Sequence, residues 1–343
     1  MRPDQDPIAH AEDLIATGRA GDAASFLNGL LAAGRGGLLM RLTLARALRA
    51  SGDAQGAFIV AREASALHPD VAVVAIALGE AMLGAGLLPT AIGEFQRALR
   101  TDPGNEDARR GLARAWLEAG EPEKALDAFD DEAIAAEANA MLAAPRSNAR
   151  YVRHLFDQFS ADYDARMIGQ LGYRAPAILR ELFDLTIAAN GLSILDLGCG
   201  TGLSGLAFRD VAARLEGVDL SPAMIEKARA RGVYDALHVG DIETIAGGYD
   251  LIVAADTLVY LGDLATVFAR AAPSRYFLFT VESQESEGFE LGPKRRWRHS
   301  ESYLRAAAHA AGLEVMGLVQ CAPRSEAGQP VPGFAVALAG KVG

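Results

Sequence analysis

The feature that most constrains this chain of 343 residues is a period of 34 residues running through its first half. Gly18, Gly52, Gly86 and Gly120 stand one period apart, and other columns keep the same step. Four residues ahead of each glycine come Leu14, Leu48, Met82 and Trp116; seven ahead come Ala11, Ala45, Gly79 and Ala113. Five residues after it come Ala23, Ala57, Ala91 and Ala125, and nine after it Leu27, Ala61, Phe95 and Phe129. Pro69 and Pro103 close units one period apart. Small residues let paired helices approach, large ones fill the gap, and glycine turns the chain. Such a unit buries its apolar face only against its neighbours. The pattern therefore predicts about four stacked helical pairs, the first and weakest being a terminal unit that faces water. An alanine-rich helix over Ala133 to Ala144 would close the stack, and Pro145-Arg146-Ser147-Asn148 reads as a linker.

These columns resemble the tetratricopeptide repeat, best in the unit from Ala72 to Pro103. The resemblance implies a surface that docks a partner or a second copy of the chain. The expected organisation is an all-α repeat domain over residues 1–144 and a second domain over 145–343.

Composition narrows the function. Half the residues are apolar, enough for sizeable cores, and the net charge of −11 repels a phosphate backbone, so no nucleic acid is expected as partner. The acidic run from Glu118 to Glu137 reads as a solvated helix face. Cys199 and Cys321 lie far apart with no metal-ligand spacing, so neither metal nor disulfide is expected. The start Met1-Arg2-Pro3-Asp4-Gln5-Asp6 lacks an apolar run, and no segment has the roughly 18 apolar residues of a membrane span. A cytoplasmic protein without membrane attachment is the expectation.

From Ser193 the hydrophobic period changes to short apolar runs alternating with amphipathic helices, the pattern of an α/β sheet. Strands are predicted at Ser193 to Leu197, Glu216 to Leu220, Ala236 to Val239, Asp250 to Ala254, Tyr276 to Val281, Leu313 to Gln320 and Phe334 to Ala339. The first runs into Asp196-Leu197-Gly198-Cys199-Gly200-Thr201-Gly202, a glycine loop opening a helix near Leu203. Its G-x-G-x-G spacing, with an acid two residues upstream, differs from the G-x-G-x-x-G that seats a pyrophosphate. A ligand with an amino-acid moiety is favoured over a dinucleotide. The second strand ends on Asp219, with Leu220 following, where a carboxylate can accept both hydroxyls of a ribose. The third ends at Asp241-Ile242, an acceptor for an adenine amino group beside an apolar side chain that can pack on the ring. The fourth leads into Asp256-Thr257-Leu258-Val259-Tyr260.

Together these segments resemble the class I S-adenosylmethionine-dependent methyltransferases over about Tyr151 to Gly343. The resemblance implies a Rossmann-like sheet of seven strands with an antiparallel last hairpin, and S-adenosylmethionine as cofactor. It places Asp196, Gly198, Cys199, Gly200 and Gly202 around the methionine part and Asp219 and Leu220 at the ribose. Asp241 and Ile242 fall at the adenine, and Asp256 near the amino group or the acceptor. Phe156-Asp157-Gln158-Phe159-Ser160-Ala161-Asp162-Tyr163-Asp164 is similar to the lid helix of small-molecule methyltransferases, which puts Tyr163 over the cofactor.

Methyl transfer is an in-line displacement at an activated carbon, so the protein mainly aligns the reactants and keeps water out. A base is needed only for an acceptor that must lose a proton. His299, Tyr260 and Asp256 are the candidates, His299 because its ordinary pKa lies near working pH. The stretch from Glu282 to Arg298 reads as a polar, irregular loop that shapes the acceptor pocket. Its Lys294, Arg295, Arg296 and Arg298 form a basic cluster able to pair with an acidic acceptor. No Asn/Asp-Pro-Pro-Tyr/Phe segment follows the fourth strand, which argues against an amide or exocyclic base nitrogen as acceptor. A small molecule or a protein remains. The rival readings are a non-catalytic repeat scaffold with a degenerate cofactor domain and a nicotinamide oxidoreductase.

Overall fold

The computed structural model describes residues 6–160, 162–244, 248–292 and 294–340. The chain separates into two compact units, Met1–Ala143 and Ala144–Gly343. No described helix is long and apolar enough to cross a membrane.

The first unit is all helix. It contains α1 (Pro7–Ala16), α2 (Ala20–Ala32), α3 (Leu38–Ala50), α4 (Ala54–Leu67), α5 (Ala72–Gly84), α6 (Leu88–Thr101), α7 (Glu106–Glu118), α8 (Pro122–Ala128) and α9 (Glu132–Ala143). The four periodic glycines turn the chain within each pair, at φ of 77°, 87°, 75° and 71°, a left-handed conformation that costs glycine nothing. Helices α4 and α6 stop two residues before Pro69 and Pro103, since a proline disfavours helical backbone in the residue ahead of it. The invariant alanine column, Ala23, Ala57, Ala91 and Ala125, is fully buried, so its small size is what lets the helices approach. Asp53 and Asn105 cap α4 and α7 by accepting from the amides of Gly56 and Ala108.

The fourth pair departs from the period. Helix α8 ends at Ala128, Phe129 is extended, and Asp131 accepts from the amides of Ala133 and Ile134 to start α9. Asp131 thus starts a new helix where the repeat alone would have continued the old one.

The second unit holds α10 (Ala149–Phe159), a π-helical turn (Ala165–Gln170) and α11 (Ala175–Thr186) ahead of its sheet. There follow β1 (Leu192–Leu197), α12 (Leu203–Phe208), β2 (Ala212–Asp219), α13 (Pro222–Arg231), β3 (Ala236–Val239), β4 (Leu251–Ala254), α14 (Ala265–Ala271) and β5 (Tyr276–Ser283). The rest is β6 (Phe289–Leu291), β7 (Trp297–His299), α15 (Glu301–Ala310), β8 (Glu314–Cys321), β9 (Ser325–Glu326), β10 (Gln329–Pro330) and β11 (Gly333–Ala339).

The main sheet runs β3-β2-β1-β4-β5-β11-β8. The first five strands are parallel, and β11 lies antiparallel between β5 and β8, with Val336 opposite Phe279 and Leu318. These are the seven expected strands with their antiparallel last hairpin. The stretch expected to be irregular differs: β7 pairs with the end of β5, and β6 folds back on β7. That pairing extends the sheet to nine strands.

Alternation along each strand divides the core between the two faces. Leu195, Leu197, Ile252, Ala254, Val336 and Leu338 face α14 and α15, while Leu192, Ile194, Leu251, Val253, Ala335 and Ala337 face α11 and α12. The glycine loop, by following β1 between two buried layers, is held at one edge of a rigid sheet.

Packing in the repeat unit gives a paired prediction. Phe95 is fully buried against two glycines, and a Cβ on Gly111 would fall 2.3 Å from its ring. Gly93, on the same helix as Phe95, has nothing within 4 Å of its Cβ direction. Gly111→Ala is expected to destabilise by about 1–3 kcal/mol through overpacking. Gly93→Ala is expected to stabilise by about 0.5–1 kcal/mol through helix propensity. Denaturant unfolding followed by helical circular dichroism checks both signs.

Candidate active site

In the sheet order the chain leaves β1 toward β2 and β3 and then returns to the other side of β1 as β4. The connections after β1 and β4 therefore run in opposite directions, which opens a crevice at the C-terminal edge of a doubly wound sheet. Here it is a cleft lined by the segments that follow β1, β2, β3 and β4.

The loop after β1 forms its floor. Gly198, Gly200 and Gly202 are all left-handed, at φ of 65°, 53° and 94°. A Cβ on Gly198 would lie 2.4 Å from Thr257, so the loop packs against the segment after β4. At Gly200 a Cβ would meet nothing within 4 Å: here the backbone faces open cleft. The Gly200 amide donates to Asp219 Oδ2 at 3.0 Å, and the Ser221 amide donates to Oδ1 at 2.8 Å. The tip of β2 is thereby tied to the loop after β1. Burial pushes the Asp219 carboxyl up, while these two amides hold it down.

Of the cofactor candidates, Gly198, Cys199, Gly200, Asp219, Leu220, Asp241, Ile242, Asp256 and Tyr163 all line this one cleft. Asp196 and Gly202 do not. Gly202 is the left-handed N-cap of α12. Asp196 lies 1 % exposed beneath the loop, where Oδ2 accepts from the Tyr234 hydroxyl at 2.7 Å and Oδ1 has no partner. Desolvation raises its carboxyl from the ordinary 3.8 to about 7, with the Asp219 charge adding to the shift and the Tyr234 hydrogen bond opposing it. Cys199 is buried, and burial pushes its thiol well up, so it is protonated and inert.

At the other end Asp241 accepts from Arg146 at 2.9 Å and from the Glu243 amide at 3.0 Å. Arg146 belongs to the expected linker; it lines the cleft instead, anchored where Pro145 accepts from the Gly262 and Asp263 amides. The aromatic roof is Phe156, Tyr163 and Tyr260, with Phe156 edge-on to both tyrosines at 6.1 and 5.6 Å. Helix α10 is held down where Asp157 accepts from Ser221 Oγ at 2.5 Å. Beyond it Asp164 accepts from Thr201 Oγ1 at 2.5 Å and pairs with Arg231.

Asp256 sits at φ 56°, a conformation that costs a side-chain-bearing residue about 1–2 kcal/mol. What holds it there is Arg324, fully buried, which donates to Asp256 Oδ1 at 2.6 Å and also pairs with Glu282 and Glu326. The Asp256 amide donates to Thr280 Oγ1 at 2.8 Å. Neither Arg324 nor Tyr173, whose hydroxyl donates to the Ala255 carbonyl, carries a sequence signal: each acts through contacts more than 65 residues away. Thr257, by contrast, sits inside the motif after β4 and was legible as a neighbour of the glycine loop only once the two strands were adjacent.

The base candidates fare unequally. His299 is not in the cleft. Pairing of β7 with β5 and β6 turns it inward, 0 % exposed, with Nε2 against the Gly262 carbonyl at 3.0 Å and its ring stacked on Tyr303. Desolvation lowers its pKa to about 4, so it stays neutral with no path to a substrate proton. Tyr260 lines the cleft, and burial raises its phenol, as it does those of Tyr163 and Tyr173. The carboxylate of Asp256 is engaged by Arg324. The basic loop residues meet this chain's own acids: Lys294 pairs with Glu326, Arg298 with Glu290 at 3.1 Å, and Arg296 faces Asp256 at 3.7 Å.

Asp196 gives a pH prediction with a fixed sign. Its folded-state pKa is raised, so the folded form holds the proton more tightly, and stability falls as pH rises from about 4 to about 7 before levelling. Asp196→Asn removes that component. The difference in unfolding free energy between wild type and variant is expected to shift by a few kcal/mol in the variant's favour between pH 4 and 8; urea titrations at the two pH values measure it.

Residues 194–273 match the family described as methyltransferase domain, and residues 82–144 match the tetratricopeptide repeat. Similar curated proteins include human methyltransferase-like protein 27, 37% identical over 87 residues, which are 24% of this chain and 35% of that one. Aklanonic acid methyltransferase DauC of Streptomyces sp. (strain C5) is 33% identical over 138 residues, 37% of this chain and 60% of that one. The chain thus spans between about a third and three fifths of the length of these two relatives. Among solved structures, magnesium protoporphyrin IX methyltransferase (ChlM) from Synechocystis PCC 6803 with bound SAM aligns with a TM-score of 0.45 and 18% identity, over 56% of this chain and 97% of that one. The second unit thus carries a methyltransferase domain at residues 194–273, with S-adenosylmethionine as the cofactor its motifs fit, behind tetratricopeptide repeats at residues 82–144.

Proposed function

We propose that the protein transfers a methyl group from S-adenosylmethionine to a small-molecule acceptor. The observation that carries this reading is the convergence on one cleft of the Gly200 backbone, the Asp219 carboxylate and the Asp241–Ile242 pair, each at the tip of a different strand. Those groups fit the cofactor. Gly200 leaves room for close approach, Asp219 offers lone pairs to vicinal hydroxyls, and Ile242 offers an apolar face beside an acceptor for an amino group. The net negative lining suits a cation. The relatives' names, aklanonic acid methyltransferase and ubiquinone biosynthesis O-methyltransferase of Bordetella parapertussis, favour a small molecule over a protein as acceptor.

When bound, the cofactor supplies an electrophilic methyl carbon on a sulfonium. The chain's residues do the rest. The loop and Asp219 fix the carrier's orientation, Phe156, Tyr163 and Tyr260 exclude water, and Asp256, pinned by Arg324, keeps a fixed negative charge in the cleft. None of the phenols or thiols described in the cleft is poised to remove a proton, so alignment and a dry site are the means of catalysis. In this reading the repeat unit docks a protein partner or a second copy of the chain.

Calorimetric titration with S-adenosylmethionine tests the assignment. Wild type is expected to bind, and Asp219→Ala to weaken binding by about ten- to a hundredfold through loss of charged hydrogen bonds. Gly200→Val, forced into a left-handed backbone, should bind no better than Asp219→Ala. Undiminished affinity in both variants, or no binding by wild type, overturns the reading in favour of a non-catalytic scaffold.

A further inference from the structure

Among the described residues, six of the seven buried side-chain polar atoms without a hydrogen-bond partner belong to one short stretch: both amide atoms of Gln284, Arg296 Nη1, Trp297 Nε1, Arg298 Nε and His299 Nδ1. Folded proteins give the large majority of such groups a partner, so a concentration of open polar atoms marks a place where the partner comes from outside the chain.

Period two along β7 sorts them. Trp297 packs on Gly262 and His299 bonds its carbonyl, on one side. Arg296 and Arg298 lie on the other side, where with Lys294 they line a second, open cavity. Two carboxylates, Glu282 and Glu326, also line it, yet both are already engaged. Arg324 takes Glu282, and Arg324 with Lys294 takes Glu326. Arg296 Nη1 is left 3.7–3.8 Å from Asp256, Glu282 and Glu326, near enough for attraction and too far for a hydrogen bond. Arg298 spends Nη2 on Glu290 at 3.1 Å and keeps Nε open. Two guanidinium groups that line one cavity therefore each keep an unpartnered N–H, and a pair of such groups is what a planar oxyanion satisfies.

The lining has three cations against two anions, an excess suited to a singly charged carboxylate and too small for a phosphate dianion. The cavity also abuts the cofactor cleft. The Arg296 guanidinium lies 5.9 Å from the centre of the Tyr260 ring, and Tyr260 and Asp256, both beside Arg296, line that cleft. We propose that this second cavity is the subsite that holds a carboxylate of the acceptor, which makes the acceptor a small organic acid. The word acceptor rests on the methyl-transfer reading; the cavity's affinity for a carboxylate does not.

The test titrates the full-length protein with butyrate, with its neutral amide and with inorganic phosphate, at constant ionic strength. Butyrate is expected to bind at least about tenfold more tightly than the other two. Arg298→Gln should weaken butyrate about tenfold, and the exposed Lys294→Ala a few-fold, with S-adenosylmethionine affinity unchanged in both. Equal binding of the amide, tighter binding of phosphate, or butyrate affinity unmoved in both variants overturns the proposal. Wild type that takes S-adenosylmethionine and not butyrate overturns the subsite alone. Wild type that takes butyrate and not S-adenosylmethionine supports the subsite and overturns the methyl-transfer reading.

Discussion

The hydrogen bond from the Gly200 amide to the Asp219 carboxylate ties together the two strand tips on which the cleft depends. It requires Gly200 in left-handed backbone and β2 beside β1 with Asp196 opposite Gly217. With those conditions met, the carboxylate stands over the glycine loop with its outer lone pairs free. Burial of Asp219 raises its carboxyl; the two donated amides oppose part of that rise and fix the orientation of the group at the floor of the cleft. Orientation here comes from two backbone amides, one in the loop after β1 and one at the start of α13, which is why it needs no further side chain.

A second tie acts at the other wall. Arg324 is buried among Asp256, Glu282 and Glu326, and no hydrophobic residue would hold Asp256 in its unfavourable backbone conformation. Buried ion clusters of this kind add little to stability because desolvation offsets attraction. Their use here is positional: the cluster aims Asp256 into the cleft and leaves Arg296 short of partners toward the neighbouring cavity. The same wall thus serves both sites.

Much of this was legible in the sequence because it is local or periodic. The 34-residue columns gave the helical pairs, and the strand-to-glycine transition at Leu197-Gly198 gave the cleft. Asp219, Asp241 and Ile242 followed from their places at strand ends. What escaped was whatever depends on pairing between distant segments. Arg324 and Tyr173 reach the site from far along the chain, and Arg146, in a stretch composed like a linker, is held at the site where the carbonyl of its neighbour Pro145 accepts from the Gly262 and Asp263 amides. The same limit explains the misplaced base. His299 follows a polar, basic stretch that reads as a loop, and only its register against Ser283 and Phe289 shows that the imidazole turns into the core. Asp196, expected around the methionine part of the cofactor, lies buried under the glycine loop and does not line the cleft.

The account stands or falls on where an adenosyl ligand lies. A crystal structure of the protein grown with S-adenosylhomocysteine is expected to show the ribose hydroxyls on the Asp219 carboxylate and the amino-acid end against the Gly200 backbone. Density for the ligand at any other place, or a ribose turned away from Asp219, would contradict it.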